Sequence, residues 1–167
     1  MVSIYPKNGV TIENRGTIVF NGSCSIGNDS FLSIGNSGKV IFGDRFTATA
    51  SFKLATYIGI SYGDNVSIGW NCMFIDSDFH RLTREDGRHV KGYGKINVGS
   101  NVWFGNNCIV MKNTIIPNFT TIAAGTMLSQ CLDIPEKTVV GYKRPVEVLQ
   151  TGIYRDFDDD GIVYSEN

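Results

Sequence analysis

The hexapeptide Ile75-Asp76-Ser77-Asp78-Phe79-His80 gathers the groups in this chain best able to move a proton. Histidine titrates near neutrality and is the natural general base for a hydroxyl or an amine. Alternation along an extended segment puts Asp76, Asp78 and His80 on one side. An unpaired carboxylate on that inward side would be costly. Asp78 is therefore expected to orient the imidazole or to bind an acceptor, and Asp76 to contact the acceptor. Two blander readings stay open: a surface histidine at a loop start, and acids that satisfy turn amides. His89, the other histidine, lies in a charged stretch and reads as solvated.

These residues need a scaffold, and its signature follows them. From Val98 an aliphatic or aromatic residue returns every six positions, through Phe104, Val110, Ile116, Ile122, Leu128, Ile134 and Val140. A small or turn-prone residue often follows each anchor, and a small or medium one sits four places on, as at Cys108 and Thr114. Period six drifts off a helical face within two turns. It suits a short strand, a turn and a fresh start, which makes a β-solenoid of six or seven coils. Upstream blocks opening at Phe20, Phe42 and Tyr62 repeat the pattern, with bulges expected at 36–38 and within 53–59. Residues 1–15 read as a lead-in. The hexads running from Tyr62 through Ile68 and Phe74 stop at His80, and residues 81–95 should protrude as a charged loop. Parallel connections are right-handed as a rule, and periodicity alone offers nothing against that.

Composition narrows the function classes. The chain has 167 residues, 42% of them hydrophobic, and a net charge of −1, as expected of a single domain. Without a basic block, nucleic acid and anionic membrane are disfavoured as main partners. No apolar run is long enough to span a bilayer, nor does the N-terminus carry a signal-peptide core. The expectation is a soluble cytoplasmic protein. Cys24, Cys72 and Cys108 each fall four places after an anchor and read as buried reduced thiols. No zinc-spaced Cys/His set exists, and three metal-binding histidines are unavailable. No metal is expected. Asp156–Gly161 matches half of a calcium loop, but position twelve would be Asn167, so an acidic tail over 150–167 is the better reading.

The runs Tyr62-Gly-Asp-Asn-Val-Ser-Ile-Gly-Trp-Asn-Cys, His80 before a polar loop, Val98-Gly-Ser-Asn-Val-Trp-Phe-Gly-Asn-Asn-Cys, Ile122-Ala-Ala-Gly-Thr and Asp133-Ile-Pro resemble the hexapeptide-repeat acyltransferases. The chain is most similar to the sugar and surface-polysaccharide O-acetyltransferases within them. The resemblance covers about 16–149, so 1–149 is expected to be one catalytic domain. It implies a left-handed parallel β-helix, a homotrimer with active sites between subunits, acetyl-CoA as donor, and His80 as base.

It also implies donor contacts at Trp103, Asn106, the backbone of Ala124, and the strand ending at Ser129. Trp103 should point outward by parity, and trimer packing would account for it equally. Lys143 and Arg144 would give the cleft a positive end, though the 128–145 segment departs from the family's closing pattern. Galactoside-type relatives place an Asn and an Asp one coil before the base. Thr47–Tyr57 has neither, and offers Lys53 and Tyr57 as acceptor contacts instead. An N-acetyltransferase on an amino-sugar uses the same parts. A non-catalytic solenoid platform is the reading from another class.

Overall fold

The computed structural model describes residues 8–142, and Lys143, Arg144 and the acidic tail lie outside them. The described residues wind into six coils. The first coil comprises β1 (Val10–Asn14), β2 (Thr17–Phe20) and β3 (Cys24–Ile26), and the second β4 (Ser30–Ile34), β5 (Lys39–Phe42) and β6 (Phe46–Ala48). The third has β7 (Lys53–Thr56), β8 (Ile60–Tyr62) and β9 (Ser67–Ile68). In the fourth, β10 (Met73–Ile75) is separated by an arm, β11 (Leu82–Thr83) and β12 (His89–Val90), from β13 (Ile96–Val98) and β14 (Trp103–Phe104). The fifth has β15 (Ile109–Met111), β16 (Ile115–Ile116) and β17 (Thr121–Ile122), and the last β18 (Met127–Leu128) and β19 (Val139–Val140). No helix occurs among the described residues.

Three parallel sheets form the walls, ordered β1-β4-β7-β10-β15-β18, β2-β5-β8-β13-β16 and β3-β6-β9-β14-β17-β19. The architecture is a β-solenoid that accords with the left-handed helix of the resemblance, against the general right-handed rule. Residues 10–14 are a paired first strand rather than a lead-in. They lack the inward pattern because they close the end of the stack, where all five are exposed.

Register explains the hexads. Leu32, Leu54, Phe74, Val110 and Leu128 align from coil to coil and make one buried column. On the second wall, Phe20, Phe42 and Tyr62 form a ring ladder with centroids 5.4 and 5.5 Å apart. A coil alone would leave these faces wet, so each is stable only against its neighbours. The corners show a further regularity. Asn65, Asn71, Asn101, Asn107 and Asn113 all have positive φ, three places after an anchor. Asparagine tolerates that region, and its amide links successive coils, as Asn71 Nδ2 does by donating to Asn107 Oδ1 at 2.9 Å.

The departures from 18 residues per coil fall at one corner, between the first and second walls. There the second coil bulges at 35–38, where Gly38 N donates to Gly35 O, and the third at 57–59. The fourth coil inserts the arm at the same corner. The expected loop is in fact an antiparallel ribbon. Ser77 bridges Tyr93, and Leu82 and Thr83 pair with Val90 and His89. Gly87, at φ 80°, closes the tip in a conformation that suits glycine.

Candidate active site

The site is assembled at this bulged corner. Asp76 follows β10 and is completely buried. Its carboxylate accepts hydrogen bonds from Thr56 Oγ1 at 2.6 Å and from the amides of Tyr57, Ile58 and Gly59 at 2.6, 2.9 and 2.7 Å. The expected acceptor contact is thus corrected: Asp76 is a post that ties down the bulge of the coil below. Amide donors satisfy a buried carboxylate, and the tied bulge turns Tyr57 outward, where its ring lies 5.3 Å from Tyr93 of the arm.

Asp78 has a different partner from the one expected. It makes an ion pair with Lys112 of the fifth coil, and both side chains are mostly buried. Its amide donates to Gly92 O at 2.7 Å, fixing the root of the ribbon. Asp78 therefore anchors the arm, and the His80 ring has no protein hydrogen-bond partner among the described residues. Lys112 is absent from the sequence reading. Its signal was its position two after an anchor, the slot Asp76 fills one coil lower.

Strict alternation fails at Phe79. This residue has φ 56°, outside the corner phase that accounts for the other non-glycine positive-φ residues. Its amide is held by Ser77 Oγ at 3.0 Å. A bulky side chain in that region marks local strain. The turn it makes swings His80 out of the column and into solvent.

His80 lines a cleft of about 540 Å³ between the bulge and the arm. Tyr57 and Tyr93 supply ring faces, and His89, Arg81 and Lys91 complete the polar wall. His89 is not merely solvated in a loop: it faces the same cleft, with Nδ1 3.2 Å from Thr83 Oγ1. The volume falls in the range of small-molecule sites. A free imidazole at such a wall can take a proton from a bound hydroxyl or amine.

The remaining candidates lie elsewhere. Lys53 donates to Asn71 Oδ1 at 2.9 Å and lines a shallow apolar groove on the first wall, apart from His80. Trp103 points outward as parity demands, 57% exposed on the third wall. Asn106 Oδ1 accepts the Trp70 amide at 3.0 Å, so part of its side chain is engaged within the stack. Ala124 is an exposed turn residue. Ser129 lines a groove of about 310 Å³ on the last coil, with Met127, Gln130, Val140 and Tyr142. Among the described residues no cluster of three or more His, Cys, Asp or Glu is arranged to hold a metal. No helix there is long and apolar enough to cross a membrane.

No family model matches the sequence. An uncharacterised 24.8 kDa protein of the cps region of Klebsiella pneumoniae is 32% identical over 90 residues, 54% of this chain. The chain spans only 39% of that relative's length. Among solved structures, a mutant of the Bacillus cereus N-acyltransferase AntD, in complex with dTDP and coenzyme A, matches with a TM-score of 0.60. That match has 24% identity and covers 75% of this chain and 69% of that one. The polysialic-acid-specific acetyltransferase NeuO also matches at 0.60, with 18% identity over 93% of this chain and 86% of that one. A Vibrio cholerae hexapeptide-repeat acetyltransferase complexed with acetyl-CoA matches at 0.53, with 18% identity, covering 85% and 70%. The chain shares the solenoid fold of these acyltransferases.

Proposed function

We propose that the protein transfers an acetyl group from acetyl-CoA to a sugar hydroxyl, with His80 as general base. The observation that carries this reading is His80 itself. It is thrown out of the hydrophobic column by Phe79, without a hydrogen-bond partner among the described residues, onto the wall of a cleft faced by two tyrosines. Acetyl-CoA supplies an acyl group activated as a thioester and a thiol as leaving group. His80 accepts the acceptor's proton and returns it to the departing sulfur. Tyr57 and Tyr93 offer apolar ring faces against which a sugar can lie. Backbone amides at a nearby turn would stabilise the developing oxyanion.

On the last coil, the groove at Met127, Ser129 and Val140 combines apolar and polar surface suited to the donor's arm. Trp103, Asn106 and the backbone of Ala124 are assigned to the same arm, and Lys143 and Arg144 to its phosphates. In a homotrimer, the groove of one subunit would face the cleft of the next. The expected setting is cytoplasmic surface-polysaccharide biosynthesis, in keeping with a relative from a cps region.

The test incubates acetyl-CoA and the protein with sugars, amino-sugars and nucleotide-sugars, reading thiol release and the mass of the product. A product acetylated on oxygen is cleaved by mild alkali, and is the expected result. An alkali-stable amide would instead establish transfer to an amine. Absence of thiol release with every acceptor class would contradict acyl transfer and favour a non-catalytic platform.

A further inference from the structure

The cleft beside His80 has a charge character that the overall composition hides. The chain as a whole carries −1. Yet Arg81 and Lys91 line this cleft, both histidines of the chain face it, and no aspartate or glutamate is among its lining residues. The neighbouring acids are otherwise occupied or displaced. Asp78 is paired with Lys112 and Asp76 is enclosed by amides. Asp86 is paired with Arg88 at 2.6 Å, and Glu85 lies next to it at the tip of the arm.

Lys91 Nζ sits 5.0 Å from the centre of the Tyr93 ring, which in turn packs on Tyr57. The cation is thereby held over the Tyr93 ring, within the cleft. Single-sign charge in a concave site raises the local concentration of an oppositely charged ligand. Lysine and arginine make charge-assisted bonds to carboxylate or phosphate.

We propose that the cleft binds an anionic sugar, whose ring lies on Tyr57 and Tyr93 and whose carboxylate or phosphate is held by Arg81 and Lys91. This rests on the acetyl-transfer reading for its purpose, and narrows the acceptor to acidic sugars or sugars carried on a diphosphate. A neutral disaccharide leaves both cations without an anionic partner.

The chain itself provides the probe. With only two histidines, both on the cleft, a tag-free protein labelled at histidine reports this site alone by NMR. The ligands are a hexuronic acid disaccharide, UDP-glucose and lactose, each titrated without acetyl-CoA. The expected result is that an anionic probe shifts the His80 and His89 signals while lactose does not. Arg81→Gln and Lys91→Gln should each weaken that binding roughly tenfold, as should raised ionic strength. A response to the uronic acid alone identifies a carboxylated sugar, and one to UDP-glucose alone a diphosphate-linked sugar. Lactose binding as tightly as both anions, no shift with either anion, or unchanged affinity in both variants overturns the proposal. The outcome is separate from catalysis. Thiol release with neutral acceptors alone would sink the anionic site and leave acetyl transfer standing, whereas anion binding without any thiol release would do the reverse.

Discussion

At the scale of single residues, buried Asp76 and the partly buried Asp78–Lys112 pair hold the elements that border the cleft. Asp76→Asn keeps the volume but turns an acceptor-only group into one with two donors, facing three amides and a hydroxyl. A loss of about 2–4 kcal/mol is expected by denaturant unfolding. Because Tyr57 would then be freed, acceptor KM should rise by more than kcat falls. Lys112→Met leaves Asp78 unpaired at the root of the arm, and should cost about 1–3 kcal/mol. The double variant Asp78→Asn with Lys112→Met should recover part of that loss, which a cycle of unfolding measurements checks. Neither residue's duty was readable beforehand. Alternation told which side Asp76 faces, but not that the coil below would present three amides there. Lys112 lies 34 positions from Asp78, and the pairing of β10 with β15 on one wall brings the two together across the inserted arm. His80 was legible as the residue that interrupts the hexads, while its exit depends on the conformation of Phe79.

At the scale of strands and corners, the columns were plain in the sequence because one inward residue per strand repeats without drift. The corner asparagines carried an equally regular signal, three places after the anchors, that hydrophobicity alone does not detect. The thiols follow from the same geometry. Cys72 and Cys108 are fully buried, and a hydrogen bond with Cys108 together with burial pushes the Cys72 thiol well up. Cys24 is half-buried at the end of the stack and is pushed up by burial, while Cys131 is exposed. Thiolate is the reactive form. Access decides the order here: iodoacetamide should modify exposed Cys131 first in the folded protein, and reach the buried Cys72 and Cys108 only on denaturation, as peptide masses will show. Rapid labelling of Cys72 would contradict the column. Tyr62 offers a second check. Its ring packs among Phe42, Phe46 and Phe74, and its buried hydroxyl has no hydrogen-bond partner among the described residues. Tyr62→Phe removes that unsatisfied group and should stabilise the fold by about 1 kcal/mol, read as a raised denaturation midpoint.

At the scale of the whole molecule, the walls leave apolar side chains facing outward. Trp103 and Val139 lie on the third sheet, with Phe31 and Met127 on the first. Under the proposed assembly these faces meet neighbouring subunits, and each cleft depends on the last coil of another copy. Thiol release per subunit should then fall as the trimer dissociates on dilution, followed by light scattering. An active monomer would contradict a shared site.

The most direct test of the central claim compares wild type with His80→Ala in thiol release from acetyl-CoA, at matched subunit assembly and thermal stability. The account predicts a fall in turnover of about 10²–10⁴-fold in the variant. Equal turnover in the two proteins would contradict it.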